Sequence, residues 1–335
     1  MFQAHPEDPV TAELVGTVVA AQANYYWVAL APPSAVTSSA VTTRAGLCAY
    51  PHDRLLCTRR TRLKKIGQQV LVGDRVQVEE PDWAGQRGAI AAVLPRSSEL
   101  DRPPIANADQ ILLVFALADP PIDPHQLSRF LLKAETTGLR VQVGLNKLDL
   151  VDASTRQHWC DRLRAWGYDP VLLSTKTHQE WMPILARLRQ CLTVIAGPSG
   201  VGKSSLINRL IPDATLRVAA VSGKLRRGRH TTRHVELFAL PDGGLLADTP
   251  GFNQPDITVL PRDLGHYFPE VRDRQRQSAC QFSDCLHQHE PNCQVRGDWE
   301  RYDHYLACLD EAIAYQQDLE QRADHESTVK LKDQA

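Results

Sequence analysis

Gly197-Pro198-Ser199-Gly200-Val201-Gly202-Lys203-Ser204-Ser205 is preceded by an apolar run, Cys191 to Ala196. It opens a stretch, Ser204 to Ile211, whose Leu206, Ile207, Leu210 and Ile211 fall on one helical face. A Gly-x4-Gly-Lys-Ser pattern between a strand and a helix is that of a phosphate-binding loop. Its glycines let the backbone turn sharply and aim N–H groups inward, and the helix N-terminus adds partial positive charge. All nine residues are therefore candidates for a nucleoside triphosphate cradle. Lys203 is placed to reach the terminal phosphates and is a candidate catalytic residue, and the Ser204 hydroxyl is placed to bind Mg²⁺.

Around this loop the chain alternates strand and helix. Gln110 to Leu117, Leu139 to Leu145 and Pro170 to Leu173 read as strands. His125 to Thr136, Ser154 to Trp166 and Met182 to Gln190 read as helices, and strands return at Val235 to Leu240 and Gly244 to Ala247. That order predicts a doubly wound α/β sheet with its loops at the strands' carboxyl ends.

Two of those ends carry base-reading patterns. Asn146-Lys147-Leu148-Asp149 has the Asn-Lys-x-Asp form, in which the Asp149 carboxylate accepts from guanine N1–H and its exocyclic amine. Adenine would leave that carboxylate without partners. Asn146 is expected to brace the loop and the stem of Lys147 to pack over the base. Ser174-Thr175-Lys176 has the Ser-x-Lys form expected on the base's other side. Asp248-Thr249-Pro250-Gly251 supplies Asp-x-x-Gly, with Asp248 holding Mg²⁺ through water and the Gly251 N–H on the γ-phosphate. Between this and the phosphate loop lies Gly228-Arg229-His230-Thr231-Thr232, where one threonine, Thr231 or Thr232 with preference for Thr232, is a Mg²⁺ ligand. The order is inverted: the guanine motifs precede Gly197. A circular permutation preserves the site when termini lie close together. Ordinary GTPases also place a glutamine after Asp-x-x-Gly to orient water; here Phe252 stands there, so slow unaided turnover is expected. His230, or a group from a partner, is the candidate to supply that function.

With 335 residues, 43% hydrophobic and 23% charged, the chain has room for two or three domains. The net charge of −1 conceals two acid-free basic runs, Arg54 to Lys65 and Arg217 to Arg233, which suit a polyanionic partner. No basic start with a long apolar core and no membrane-spanning run is seen, predicting a cytoplasmic protein with no membrane partner. The first ninety-odd residues read as short strands: Leu14 to Ala20, Tyr25 to Leu30, Gly46 to Tyr50, Leu55 to Thr58, Arg75 to Glu79 and Gly88 to Leu94. These predict a small closed barrel of the OB kind, with Pro32 to Thr43 as a loop. Tyr25, Tyr26, Trp27, Tyr50 and Trp83 are its candidates for stacking on bases.

Beyond Arg262 the chain turns polar, then ends in a helix from about Trp299 to Arg322 and an acidic–basic extremity expected to lack structure. Cys280, Cys285, His287 and Cys293 have the spacing Cys-x4-Cys-x-His-x5-Cys, a Cys3His set for one structural zinc ion, with His289 as the rival imidazole. Metal there would supply much of the local folding free energy.

Taken together these motifs resemble the ribosome small subunit-dependent GTPase A family of circularly permuted GTPases. Val72-Gly73-Asp74-Arg75-Val76, Ala106-Asn107-Ala108-Asp109-Gln110, Gly228 to Thr232, and the Cys280 to Cys293 cluster with Glu290-Pro291 carry the likeness. The resemblance implies an OB-fold RNA-binding domain (1–95), a permuted GTPase domain (96–262) and a zinc-binding helical domain (263–335). It also implies a monomeric late maturation factor of the small ribosomal subunit that contacts ribosomal RNA, whose hydrolysis of GTP to GDP and phosphate that subunit stimulates. The competing reading is an RNA-binding zinc and OB protein with a weak regulatory GTP switch. Arg60-Thr61, Arg233 and His178 depart from the family pattern and bear on local loop geometry.

Overall fold

The computed structural model describes residues 14–30, 54–177, 181–211, 235–241, 243–248 and 255–332. The expected strand Gly46 to Tyr50, the loop Pro32 to Thr43, the second basic run, Phe252, and His178 lie outside the described residues. The chain packs as two compact units. One comprises Met1–Asp109, Leu185–Val194 and Ile207–Pro250; the other comprises Gln110–Ile184, Ile195–Leu206 and Gly251–Ala335.

The first unit contains a five-stranded barrel. Strands β1 (Leu14–Gln22), β2 (Tyr25–Leu30), β3 (Arg54–Arg59), β4 (Arg75–Asp82) and β5 (Arg87–Val93) pair in the order β1-β2-β3-β5-β4. β4 returns to β1 and closes the barrel, with only β3 and β5 parallel, as in an OB-fold. Alternate residues point inward, so Val18, Val28, Leu55, Cys57, Val76, Val78 and Ile90 form its core. Gly73 has φ +90°, and a methyl group there would lie 2.0 Å from the Ala106 carbonyl oxygen. The next residue, Asp74, is fully buried and takes both prongs of Arg96, Nε at 2.8 Å and Nη2 at 2.9 Å, plus the Leu71 N–H at 2.7 Å. Asn107 donates to the Gly73 carbonyl at 3.0 Å. The Gly73-Asp74 and Asn107 stretches are thus one knot, joined through a hairpin of β6 (Glu99–Asp101) and β7 (Pro104–Ala106) that sequence patterning leaves unmarked. The segments Glu236–Ala239 and Leu245–Asp248 form a further antiparallel pair.

The second unit holds the parallel strands β8 (Gln110–Ala116), β9 (Arg140–Asn146) and β10 (Val171–Leu172), ordered β10-β9-β8. Register pairs Ala116 with Asn146 and Leu145 with Leu172, so the three carboxyl ends align. Every residue of β8 is buried, which is why it reads as a continuous apolar run. Helix α2 (Pro124–Glu135), following the short α1 (Thr61–Lys65), is capped by Asp123, whose carboxylate accepts the His125 and Gln126 N–H groups. Helix α3 (Ala153–Ala165) is capped by Asp152 on the Thr155 N–H.

The polar region after Arg262 is more helical than its composition predicts. It holds α6 (Pro261–Leu264) and α7 (Pro269–Gln277), each opened by a proline, after α4 (Trp181–Leu188) and α5 (Lys203–Leu210). The last helix, α8, runs Tyr302–Lys332, so the extremity expected to lack structure is helical through Lys332. Ala323, Glu326, Lys330, Leu331 and Lys332 favour that state there, and the turn before them carries the i,i+4 pair Asp318–Arg322 at 2.8 Å. Phe268, Val271, Val295, Trp299, Tyr305, Leu309 and Leu132 form the local core. Arg301, fully buried, lies between the rings of Trp166 and Phe268 at 5.0 and 4.7 Å and pairs with Glu270 at 3.3 Å.

His304, on the first turn of α8, is buried with its Nδ1 2.6 Å from Ser128 Oγ. Its pKa falls from 6.5 to about 4, through burial first and then the neighbouring His125, Arg301 and Arg162, against Glu300. Because the folded state resists protonation, this stability is present above pH 6.5 and is lost as pH falls from 6.5 toward 4. The full swing is roughly 3 kcal/mol. Denaturant midpoints at pH 7.5 and 5 should therefore converge in His304→Gln relative to the parent chain, a comparison in which other titrating groups cancel.

Candidate nucleotide site and metal centre

The carboxyl ends of β8, β9 and β10 bring three loops to one edge, and the phosphate loop joins them. Strand β11 (Leu192–Ala196), all buried, leads into Gly197. Gly197, Gly200 and Gly202 have φ of +137°, +80° and +97°. A methyl group would sit 2.2 Å from the Val114 carbonyl oxygen at Gly197 and 2.4 Å from Asn146 Nδ2 at Gly202. These glycines are needed for space as well as for φ. Lys203 Nζ donates to the carbonyls of Gly197 at 2.8 Å and Pro198 at 2.6 Å, folding back over the loop. Ser199, Gly200, Ser204 and Ser205 are exposed, Pro198 and Val201 buried.

Asn146 is fully buried and donates from Nδ2 to the Val201 carbonyl at 2.8 Å, bracing the phosphate loop from β9. Its Oδ1 is a buried acceptor with no partner among the described residues. Lys147 adopts a left-handed conformation, φ 61°, and its Nζ donates to the Asp119 carbonyl. Ser174, 1% exposed, is a hub. Its hydroxyl donates to Asp149 Oδ1 at 2.6 Å and accepts the N–H groups of Lys176 at 3.3 Å and Thr177 at 3.2 Å. That hydrogen bond is the main reason the Asp149 pKa is lowered; burial opposes it, and the charges of Lys176 and Lys147 assist. The loops are also tied through backbone, Leu117 N–H to Asn146 O at 2.9 Å and Leu148 N–H to Leu173 O at 3.1 Å.

The structure therefore brings Asn146, Lys147, Asp149, Ser174, Lys176 and Gly197 to Ser205 into one unit's loop edge, apart in sequence but adjacent at strand ends. Asp248 ends the Leu245–Asp248 strand. His230, Thr231, Thr232 and Gly251 lie outside the described residues. Asp119 and Pro120 enter this edge unannounced by the motifs; a methyl group at Gly200 would stand 3.7 Å from Pro120 Cδ. Their only sequence signal is position, a turn at the carboxyl end of a parallel strand.

The Cys/His cluster closes compactly. The ligand atoms of Cys280, Cys285, His287 and Cys293 all lie within 4.8 Å of one another. Cys280 Sγ is 3.6 Å from His287 Nδ1 and 3.9 Å from Cys293 Sγ, and Cys293 Sγ is 3.5 Å from Nδ1. A tetrahedron with zinc–sulfur bonds of about 2.3 Å has edges of about 3.8 Å, so the set fits such an ion. His287 is buried, and burial first of all lowers its pKa, favouring the neutral, ligating ring. His289 is exposed and stands outside the set. Gln275 lies 3.3 Å from the outer Nε2, the position that holds a ligating imidazole's orientation. Glu290 accepts the N–H groups of Leu286, Gln288 and His289 at 2.8, 2.9 and 3.1 Å. Burial would raise its pKa, but the surrounding backbone N–H groups bring it down to about 2. Tyr302 and Tyr305 donate to the carbonyls of His287 and Leu286, both at 2.9 Å, stapling α8 to the ligand loop. Two tyrosines three apart at a helix start carried that signal in the sequence.

On the barrel, Tyr25, Trp27 and Trp83 are 53, 39 and 56% exposed, whereas Tyr26 is a core residue under Arg59. Tyr50 lies outside the described residues. Arg60 is engaged by Glu79 and Glu80, while Arg62, Lys64 and Lys65 remain exposed.

A family model described as RsgA GTPase matches residues 93–258. The small ribosomal subunit biogenesis GTPase RsgA of Trichormus variabilis is 64% identical over 327 residues, covering 96% of this chain and 88% of its own. That of Microcystis aeruginosa is 57% identical over 325 residues, covering 97% and 86%. Among solved structures, YloQ, a circularly permuted GTPase, aligns at 30% identity with a TM-score of 0.71 over 92% of this chain and 98% of its own. YjeQ from Thermotoga maritima gives 30% and 0.71, over 90% and 99%.

Proposed function

The chain belongs to the RsgA GTPase family, and we propose that it hydrolyses GTP to GDP and phosphate as a late maturation factor of the small ribosomal subunit, binding ribosomal RNA and leaving on hydrolysis. The observation that carries the guanine assignment is the Ser174–Asp149 hydrogen bond, which fixes an ionised acceptor beside the phosphate loop that Asn146 braces. In this reading Asn146, Lys147, Asp149, Ser174 and Lys176 hold the base, and Gly197 to Ser205 with Gly251 hold the phosphates. Ser204, Asp248 and Thr232 hold Mg²⁺, which neutralises phosphate charge when bound. Lys203 exchanges its two loop carbonyls for phosphate oxygens, a stronger, charge-assisted pairing. Cys280, Cys285, His287 and Cys293 hold one structural zinc ion. The domains run 1–95, 96–262 and 263–335. Among the described residues no helix is long and apolar enough to cross a membrane; a cytoplasmic monomer is part of the proposal. The exposed Tyr25, Trp27 and Trp83, with the exposed cations Arg62, Lys64 and Lys65 of the same barrel unit, are the residues this reading offers to RNA.

Phe252 favours keeping the second reading, an RNA-binding zinc and OB protein with a weak GTP switch, in view; water is positioned by His230 or by the subunit. One assay separates the two: GTP turnover with and without purified small subunits. Slow turnover alone and marked stimulation are expected, with Lys203→Ala losing roughly 10²–10³-fold. Absence of stimulation would favour the second reading. Unchanged stimulated turnover in His230→Ala would assign water positioning to the subunit.

A further inference from the structure

We propose that Asp119 is a positioning residue of the nucleotide edge, whose main-chain carbonyl tethers the Lys147 ammonium so that the lysine stem forms the shelf under the guanine ring. The inference rests on the GTPase reading above and adds to it a residue that no motif marks. Lys147 Nζ donates to the Asp119 carbonyl. The two belong to neighbouring loops, Asp119 after β8 and Lys147 after β9, and register sets Ala116 opposite Asn146 at the strand ends.

A tether between those loops draws the lysine chain across the carboxyl edge of the sheet. Its two ends are fixed, Cα beside Asn146 and Nζ at Asp119, and the four-carbon stem spans the gap. Asp149 lies on the β10 side of the same loop, where the Ser174 hydroxyl donates to it at 2.6 Å. A purine whose edge meets Asp149 then has the extended stem within reach of its face. Ordering a lysine side chain before the nucleotide arrives also removes that entropy cost from binding.

The backbone at both ends of the tether is unusual. Asp119 has φ +49° and Lys147 φ +61°, in the left-handed region that residues other than glycine seldom occupy. Returning Asp119 to a negative φ would swing its carbonyl, which lies beyond the N–Cα bond, away from the place β8 gives it. Such outliers mark conformations that the surrounding structure holds for what they position. The same turn borders the phosphate loop, since a methyl group at Gly200 would stand 3.7 Å from Pro120 Cδ. The ammonium takes the carbonyl rather than the exposed Asp119 carboxylate, so the holding is done by main chain.

Calorimetric titration of the full chain with GDP and Mg²⁺ tests this across a series at position 119. Glycine and asparagine tolerate the left-handed region, alanine less, and a β-branched residue least. Asp119→Gly and Asp119→Asn should bind GDP within about threefold of the parent. Asp119→Val should lose about tenfold, with Asp119→Ala between. Lys147→Met keeps an aliphatic stem without an ammonium and should lose a similar factor. In that background Asp119→Val should cost less than about twofold more, because the bond it disturbs is already gone. Turnover at saturating GTP should stay within about twofold in Asp119→Val, since the tether serves the base and not the γ-phosphate. A merely structural role would instead lower the melting temperature of the nucleotide-free chain and add its full factor to that of Lys147→Met. Asp119→Ala carries the same comparison if the valine chain does not fold. Equal losses in Asp119→Asn and Asp119→Val, parent-like affinity in both Asp119→Val and Asp119→Ala, or undiminished effects in the Lys147→Met background would each overturn the proposal. A parent chain that binds no guanine nucleotide would overturn the GTPase reading and this inference with it.

Discussion

Asp149→Asn should turn a GTP site into one that prefers xanthosine triphosphate. The carboxylate is held ionised by the Ser174 hydroxyl on Oδ1, which leaves a second lone pair on Oδ1 and the whole of Oδ2 to accept from the base. Guanine presents two donors on this edge, the ring N1–H and the exocyclic amine, and a carboxylate accepts both. The asparagine amide has one acceptor and one donor, so it meets the guanine amine with N–H against N–H. Sites built to hydrogen-bond a group reject the mismatched analogue by roughly 10⁴-fold, because buried polar groups lose their partners. Xanthine carries an oxo group where guanine carries the amine and restores both bonds to asparagine. The fold should be untouched, since Ser174 can donate to the amide oxygen as it does to Oδ1. Competition of GTP, ATP and xanthosine triphosphate against a labelled guanine nucleotide, in both chains, reads the exchange. Retention of GTP affinity within tenfold in Asp149→Asn, or equal displacement by ATP and GTP in the parent, would remove the guanine assignment.

Loss of metal should unfold the ligand loop and release the first turns of α8. Four candidate ligand atoms converge within 4.8 Å, yet apart from the ligands themselves the stretch between Cys280 and Cys293 gives only Leu286 to the local core among the described residues. Structural zinc contributes on the order of 10 kcal/mol in small metal-folded units. Tyr302 and Tyr305 hold α8 to the carbonyls of His287 and Leu286, so a loop that opens takes those two bonds with it. One equivalent of zinc per chain is expected by elemental analysis. A strong chelator, or Cys293→Ala, should lower the melting temperature and abolish exchange protection near Leu309. Guanine-nucleotide affinity should stay within a few-fold, because the base and phosphate loops are built on β8 to β11. Metal content far below one equivalent, or unchanged melting after complete removal, would refute the structural role.

Much of this was readable from residue order. The β8 to β10 strands and the phosphate loop could be located because a buried parallel strand is an unbroken apolar run, and its loop is punctuated by glycine. The barrel could be anticipated because alternating burial leaves alternating side chains. What stayed hidden was made of single residues or of backbone. The β6–β7 hairpin has three-residue strands, too short for any period to register. Helix α7 is opened by Pro269 and is nearly all polar, so composition pointed away from helix. The extremity past Arg322 was expected to lack structure on its charge alone, whereas its helix formers continue α8 to Lys332.

The sequence by itself held the motifs: a Gly-x4-Gly-Lys-Ser loop, an Asn-Lys-x-Asp tetrapeptide, a Cys3His spacing, and an inverted motif order that a permutation reconciles with one site. Those are statements about residue type and spacing, which a linear string holds in full. Tertiary structure decided which partners share a bond. It chose His287 over His289, set Asn146 against Val201, placed Ser174 on Asp149, and gave Lys147 the Asp119 carbonyl. Each of those pairings joins positions whose proximity depends on strand register and helix packing, and neither has a period along the chain.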